Sequence, residues 1–125
     1  MSLRVLIVED EQIVVADLTA KLSRLGYEVT GAADSGEEAL VLAERLRPDV
    51  VLMDIALRGP MPGTEAAKLI QEKIGTPIIF LTAYAGVFIR DPKIMQPPGI
   101  CISKPFSIDQ LRSALSVVRK QFRVQ

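Results

Sequence analysis

The sequence predicts an α/β fold in which helices cover both faces of a parallel sheet. Runs of β-branched and other apolar residues alternate with stretches whose apolar residues recur at helical spacing. One run, Asp49-Val50-Val51-Leu52-Met53-Asp54, has four large apolar residues in succession, which is typical of a strand buried on both faces. At 125 residues, the chain is expected to form one domain, residues 1–125, with its own core.

Local patterns predict the first two strands and helices. Leu3 to Val8 (LRVLIV) predicts a buried strand, and Gln12 to Leu25 predicts a helix that ends at Gly26. Tyr27 to Ala33 predicts a weaker second strand. A capping box at Ser35-Gly36-Glu37-Glu38 starts a second helix, which Pro48 ends. The apolar faces of the two helices are Val14, Leu18, Leu22 and Leu25, and Ala39, Leu42, Ala43 and Leu46.

The second half of the chain continues the alternation. Asp49 to Asp54 is the third strand, and Thr64 is expected to cap a helix that reaches Ile74 and ends at Gly75. Pro77 to Ala83 predicts a fourth strand, and Gly99 to Lys104 a shorter fifth strand. Ser107-Ile108-Asp109-Gln110 is a second capping box. The final helix that it starts has an apolar face of Leu111, Leu115, Val118 and Phe122.

The segment from Tyr84 to Pro98 departs from this pattern. A fourth helix is expected between the fourth and fifth strands, but the segment contains Pro92, Pro97 and Pro98. Proline inside a helix costs about 3 kcal/mol. We therefore expect a short or distorted helix, with Asp91 as its cap and Pro92 at its first position.

The composition excludes several kinds of function. Fifteen basic and fifteen acidic residues cancel, so general attraction to nucleic acid or to an anionic membrane is not expected. The chain has no histidine and one cysteine, Cys101, which excludes Ser/His and Cys/His nucleophiles, an internal disulfide and a CxxC motif. With no membrane-spanning apolar run and no signal-peptide pattern, we expect a cytoplasmic location.

Charged and hydroxyl side chains stand where four of the predicted strands end. Glu9 and Asp10 follow the first strand, Asp54 ends the third, Thr82 lies near the end of the fourth, and Lys104 ends the fifth. In a parallel sheet these ends share the edge at which ligands bind. Three close carboxylates repel one another, and Mg²⁺ would resolve the repulsion because it accepts carboxylates, waters and phosphate oxygens. With a lysine and a hydroxyl for an oxyanion, the set suits phosphoryl transfer to a carboxylate.

Each of these residues also has an ordinary structural explanation. Glu9-Asp10-Glu11 could be a solvated acidic start of the first helix, favoured by the helix dipole. Asp54 could be a turn residue, Thr82 an ordinary strand residue and Lys104 a surface lysine. Their coincidence at four separate strand ends favours a site.

Over essentially its whole length the sequence resembles the receiver domains of two-component response regulators. The matching segments are LIVED, VVLMD, FLTA and SKPF, at the first, third, fourth and fifth strand ends. The resemblance implies a five-stranded sheet in the flavodoxin-like order 2-1-3-4-5. It also implies that Asp54 accepts a phosphoryl group from the phosphohistidine of a sensor histidine kinase or a histidine phosphotransfer protein.

The resemblance implies a metal site as well. Asp10 and Asp54 would bind Mg²⁺ directly, with Mn²⁺ as the alternative ion. Glu9 would bind it through water, and Ala56 through its backbone carbonyl.

The phosphoryl group would be held by other residues. Thr82 and Lys104 would bind its oxygens, and the Lys104-Pro105 peptide bond would be cis. Ala56 and Tyr84, two positions beyond Asp54 and Thr82, would influence how fast water removes the group.

Four features depart from the family pattern. Cys101 stands three positions before the lysine, where receivers usually have an aromatic residue, so operation of the threonine–aromatic switch stays open; we expect the cysteine to be buried. Arg58 occupies a position that is commonly proline, and the loop from Asp54 to Gly63 is one residue longer than in the simplest chemotaxis-type receivers. The proline-broken segment belongs to the face that normally carries the output.

Three functions are weighed. The leading one is a signalling switch in which phosphorylation of Asp54 changes the surface around residues 82–110. The second is a receiver-fold binding module whose output is independent of phosphorylation, favoured by Cys101. The third is a phosphatase with an aspartyl-phosphate intermediate, disfavoured because such enzymes have a second Asp where this chain has Ala56. We therefore expect a phosphoacceptor rather than a turnover enzyme.

The expected partners are a kinase or phosphotransfer protein and an unknown downstream protein. No direct DNA binding is expected, because no DNA-binding element follows the last helix. We expect the basic residues of that helix to form a solvated face; they are Arg112, Arg119, Lys120 and Arg123. Phosphorylation in this family often drives dimerisation through the fourth and fifth helices, so a homodimer through that face is a further expectation.

Overall fold

The computed structural model describes residues 3–82 and 99–122. The strands are β1 (Arg4–Val8), β2 (Glu28–Ala33), β3 (Val50–Asp54), β4 (Ile78–Thr82) and β5 (Gly99–Ser103). The helices are α1 (Gln12–Arg24), α2 (Gly36–Leu46), α3 (Gly63–Lys73) and α4 (Ile108–Phe122). The expectations for Tyr84, for the helix between the fourth and fifth strands and for the Phe122 side chain lie outside the described residues.

The strands form one parallel sheet in the order β2-β1-β3-β4-β5, which confirms the predicted flavodoxin-like order. Val8 pairs with Met53 at the ends of β1 and β3. Thr82 and Ser103 pair at the ends of β4 and β5. This register brings the residues that end or follow β1, β3, β4 and β5 to one edge of the sheet.

An apolar cluster on each face of the sheet forms the core. The face covered by α1 and α4 is filled by large side chains, including those of Leu18, Leu22, Leu111 and Leu115. The face covered by α2 and α3 contains four alanines from those helices, Ala39, Ala43, Ala66 and Ala67. Strand β3 lies between the two clusters and is buried along its whole length, as its unbroken apolar pattern predicted. Among the helices of the described ranges, none combines the length and the apolar character needed to cross a membrane.

Most helix ends follow the predicted signals. Gly26 and Gly75 follow α1 and α3 with φ angles of 87° and 79°, the left-handed conformation in which glycine ends helices. The Ser35 hydroxyl oxygen accepts the Glu38 N–H at 3.1 Å, and the Ser107 hydroxyl oxygen accepts the Gln110 N–H at 3.1 Å. Both predicted caps are confirmed.

The prediction that Thr64 caps α3 is wrong. The helix begins at Gly63 with Pro62 at the capping position, and no side chain accepts a hydrogen bond there. The reason is the contact between Gly63 and the end of β3, since a Cβ atom at residue 63 would overlap the backbone carbonyl oxygen of Asp54. Close approach of a glycine to the strand, rather than a side-chain cap, fixes where this helix begins.

The end of α2 is completed by an arginine from β1. Arg4 donates from Nη1 to the Arg47 carbonyl at 2.9 Å and from Nη2 to the Leu46 carbonyl at 2.8 Å. The last carbonyls of a helix have no partner within the helix, so these donors satisfy groups that would otherwise need water. Arg4 thereby ties α2 to the sheet.

Candidate functional site

Three carboxylates meet at the edge of the sheet where β1 and β3 end. Glu9 and Asp10 directly follow β1, and Asp54 is the last residue of β3. One oxygen from each carboxylate lies within 4.8 Å of the other two. Glu9 and Asp54 are buried, and Asp10 is partly exposed. The structure thus brings these three predicted site residues together, because β1 and β3 are neighbours with their ends in register.

Lys104 supplies the positive charge inside this cluster. Its Nζ lies 3.1 Å from Glu9 Oε2 and 3.5 Å from Asp54 Oδ2. Its backbone N–H donates to the Thr82 carbonyl at 2.7 Å, and its peptide bond to Pro105 is cis, as the resemblance implied. The lysine therefore reaches from the end of β5 across β4 to the ends of β1 and β3.

The loop that follows β3 fixes the Asp54 carboxylate. The Ala56 N–H donates to Asp54 Oδ1 at 3.1 Å, and the Ile55 N–H donates to the Leu81 carbonyl at 3.1 Å. The resemblance to receiver domains implied a role for the Ala56 carbonyl and not for its N–H. Aspartate in turns commonly accepts from the backbone two residues later, so the sequence did contain a signal for this contact.

Asp10 is held by Arg58, which the sequence did not identify as a site residue. The Arg58 N–H donates to Asp10 Oδ2 at 3.1 Å, and the Arg58 Nε lies 3.6 Å from the same oxygen. The two residues are far apart in the chain and meet only because the β3–α3 loop passes over the end of β1. No local sequence pattern could have indicated this contact.

Burial and charge shift the pKa of two groups in the cluster. Burial, and then the adjacent Asp54, raise the pKa of Glu9 from 4.5 to about 7, although Lys104 acts in the opposite direction. For Lys104, burial is the largest influence and lowers the pKa, but the combined attraction of Asp54 and Glu9 outweighs it and raises the pKa. The site therefore favours an additional positive charge, either a proton on Glu9 or a cation.

The geometry fits a hard divalent cation. Glu9 Oε1 is buried and has no hydrogen-bond partner among the described residues, which is costly for a carboxylate oxygen. It belongs to the group of three carboxylates whose oxygens are close enough to share an ion. An oxygen-only donor set with carboxylates is the set that Mg²⁺ takes in proteins, with its remaining positions filled by water and phosphate. Glu9, Asp10 and Asp54 are therefore the residues that could hold the ion.

Two other predicted residues, Thr82 and Cys101, lie within the described part of the chain. Thr82 is buried at the end of β4, at the same edge as the carboxylates. Cys101 lies on β5 opposite Phe80 and is only partly buried, against the cluster beneath α2 and α3, where full burial was expected. Burial raises the pKa of the Cys101 thiol, which keeps it protonated at neutral pH.

A five-stranded parallel sheet with an acidic pocket and a lysine at its edge defines a receiver-type α/β domain. The family model described as "Response regulator receiver domain" matches residues 5–116, and the chain belongs to this family. The family agrees with the resemblance drawn from the four strand-end motifs.

The sequence is also similar to individual regulatory proteins. It is 38% identical over 120 residues to the transcriptional regulatory protein PdtaR of Mycobacterium tuberculosis, covering 96% of this chain and 58% of that protein. It is 33% identical over 117 residues to the phyllosphere-induced regulator PhyR of Methylorubrum extorquens, covering 93% and 43%. The chain thus spans about half the length of the curated relatives that it matches.

Solved structures show the same architecture. The signal receiver domain of a modulated diguanylate cyclase from Desulfovibrio desulfuricans superimposes with a TM-score of 0.86 at 35% identity, covering 97% of this chain and 96% of that one. The anti-anti-sigma factor PhyR from Bartonella quintana superimposes with a TM-score of 0.87 at 27% identity, covering 98% of this chain and 49% of that one.

Proposed function

We propose that the chain is a phosphoacceptor signalling domain in which Asp54 receives a phosphoryl group from a partner's phosphohistidine. An Asp54 oxygen attacks phosphorus, the new O–P bond forms as the P–N bond breaks, and the imidazole leaves with the bonding electron pair and takes up a proton from solvent. The observation that carries the proposal is the cluster of Glu9, Asp10 and Asp54, in which Lys104 lies 3.1 Å from Glu9 Oε2 and 3.5 Å from Asp54 Oδ2. Phosphoryl transfer requires mainly positioning and charge neutralisation, and this cluster supplies both.

The neighbouring groups have distinct roles in this proposal. Lys104 and Thr82 hold phosphoryl oxygens, and the Ala56 N–H, now 3.1 Å from Asp54 Oδ1, keeps the carboxylate oriented for attack. Ala56 and Tyr84 influence access of water to the product. Asp10, Asp54 and the Ala56 carbonyl would hold Mg²⁺ or Mn²⁺ directly and Glu9 would hold it through water, and the ion would supply charge neutralisation.

Intact-mass measurement after incubation with acetyl phosphate tests the acceptor role. The wild type is expected to gain one phosphoryl group in the presence of Mg²⁺ and none in EDTA, and Asp54→Ala is expected to gain none. Asp109→Asn is the matched control, because Asp109 is an exposed aspartate at the start of α4 whose ion pair, within the described residues, is with Arg112 rather than with the cluster. Released phosphate is assayed in the same samples, so that rapid turnover is not mistaken for absence of reaction. An adduct on Asp54→Ala, or neither adduct nor released phosphate with the wild type, would contradict the proposal.

Phosphorylation of Asp54 then changes the surface around residues 82–110, which a downstream protein reads. The phosphoryl donor is a sensor histidine kinase or a histidine phosphotransfer protein, and the domain works in the cytoplasm without binding DNA itself. The regulatory names of PdtaR and PhyR support a signalling output. Dimerisation through α4 and the segment before β5 is a further part of the proposal, tested by light scattering before and after phosphorylation.

A phosphate-independent binding module is the second candidate, and Cys101 is the observation that favours it. A partly buried cysteine opposite Phe80 replaces the aromatic side chain that would move inward on phosphorylation. Hydrogen–deuterium exchange with and without acetyl phosphate distinguishes the two candidates. Altered exchange in residues 82–110 of the wild type, absent from Asp54→Ala, supports the switch, whereas an adduct with unaltered exchange supports the module.

A further inference from the structure

Arg58 is attached to the carboxylate cluster by two contacts with one oxygen atom. Its N–H donates to Asp10 Oδ2 at 3.1 Å, and its Nε lies 3.6 Å from that same oxygen. Asp10 Oδ1 takes part in neither contact. The backbone hydrogen bond orients the Asp10 carboxylate, and the guanidinium places a positive charge beside Oδ2.

The Arg58 side chain lies at the surface beside the mostly buried Asp10. The Arg58 side chain is 88% exposed, whereas that of Asp10 is 12% exposed. Within the described ranges, no other carboxylate forms an ion pair with Arg58. An anion that approaches the cluster therefore meets a guanidinium whose remaining donors face solvent, and guanidinium groups suit phosphate oxygens.

The positive charge of Arg58 has opposite effects on the two ligands of the site, a divalent cation and an anionic phosphoryl donor. A divalent cation beside Asp10 is repelled by Arg58, and an anionic phosphoryl donor is attracted by it. Because the guanidinium is solvated, both effects are screened by water and salt and amount to about a threefold change in binding or rate.

We propose that Arg58 is a positioning residue that weakens divalent-cation binding at the cluster and accelerates phosphorylation by anionic donors. The proposal rests on the acceptor function of Asp54. It adds to that function a residue whose charge weakens binding of the cation and favours reaction with the anionic donor. The acceptor cluster itself does not require Arg58, whose only side-chain ion pair in the described part of the chain is with Asp10.

Two measurements on the same variants test the proposal. Isothermal titration calorimetry with Mg²⁺ is expected to give Arg58→Gln a dissociation constant about threefold lower than that of the wild type. The initial rate of adduct formation with acetyl phosphate at saturating Mg²⁺ is expected to be about threefold lower in the same variant. Arg58→Gln retains the backbone N–H, so the hydrogen bond to Asp10 is kept in both proteins.

Two controls separate the charge from general damage. Arg58→Lys keeps the charge and is expected to restore both wild-type values. Arg24→Gln removes an equal charge from the exposed end of α1, far from the cluster, and is expected to change neither. Both differences between Arg58→Gln and the wild type are expected to vanish at about 1 M salt, where the screening length falls to about 3 Å.

The opposite signs make the outcome decisive. Tighter Mg²⁺ binding together with slower phosphorylation supports the proposal, because a merely damaged site would lose both. An unchanged or weaker Mg²⁺ affinity in Arg58→Gln, or an unchanged donor rate, would overturn it. Failure of the acceptor function itself is distinguishable, since the wild type would then form no adduct while the Mg²⁺ titrations would still report the effect of Arg58.

Discussion

Glu9 should make the metal-free protein less stable as the pH rises from 5.5 to 7.5. In the folded state its pKa is raised to about 7, chiefly by burial, whereas the unfolded chain releases the proton near the ordinary value of 4.5. Between these values the folded state holds a proton that the unfolded state has lost. Unfolding therefore releases a proton, and a higher pH favours unfolding.

The magnitude follows from the two pKa values. A carboxyl with a pKa of about 7 in the folded state and 4.5 in the unfolded state reduces the unfolding free energy by about 2 kcal/mol between pH 5.5 and 7.5. The pH dependence is absent well below pH 4.5, where both states are protonated, and ends well above pH 7, where both are ionised. Of the charged groups near Glu9, Asp54 raises this pKa and Lys104 lowers it.

Urea unfolding in EDTA at pH 5.5, 6.5 and 7.5 measures this dependence. Glu9→Gln resembles the protonated residue and is expected to remove about 2 kcal/mol of the pH dependence and to be the more stable protein at pH 7.5. Glu11→Gln is the matched control, because Glu11 is exposed and only two positions away. If Glu9→Gln had the same pH dependence as the wild type, the raised pKa of Glu9 would be refuted. Mg²⁺ at saturation should stabilise the wild type at pH 7.5, since it binds the folded state preferentially.

Three further predictions concern the scaffold. Gly63→Ala should destabilise the protein by about 1–3 kcal/mol and slow adduct formation, because the new Cβ would displace the Asp54 carbonyl. Helix propensity alone predicts that the variant is more stable, so the sign of the change in urea unfolding distinguishes the two effects. Arg4→Met should lower the free energy of unfolding by about 1–2 kcal/mol in the same assay, since it removes two hydrogen bonds to the end of α2. Arg45→Met, on the exposed surface of α2, is the control, and a cost for Arg4→Met no larger than that of the control would contradict this role. Leu111→Ala should cost about 2–5 kcal/mol in the same assay and still form the adduct with acetyl phosphate, because Leu111 is fully buried in the core and is not one of the residues of the carboxylate cluster.

The strands and helices could be predicted because their signals are local, whereas the order of the strands was implied by the resemblance to receiver domains. Buried strands such as Val50–Asp54 have unbroken apolar runs, and the helices between them have apolar residues at helical spacing. Once the strands are parallel, their carboxyl ends must share an edge, so the proximity of Glu9, Asp54 and Lys104 follows from topology without any information on side-chain packing.

Contacts between distant segments could not be predicted in this way. Arg58 meets Asp10 through the path of a loop, and Gly63 rather than Thr64 begins α3 because of an approach to the Asp54 backbone. A capping preference is worth about 1 kcal/mol, less than the cost of forcing a side chain into a closed backbone contact. Tertiary packing therefore overrode a local signal that was itself reasonable.

The site combines fixed negative charges with adjustable positive ones. The Asp54 carboxylate is held by the Ala56 N–H, and the Asp10 carboxylate by the Arg58 N–H; both bonds come from the backbone. The two cations stand on long flexible stems, with Lys104 20% exposed and Arg58 88% exposed. Addition of a phosphoryl group would change the charge of the cluster without requiring its carboxylates to leave the strand ends. The side chains that move would then be those of Lys104 and Arg58. We therefore expect a change at Asp54 to reach the surface first through β5 and the β3–α3 loop, which carry these two residues.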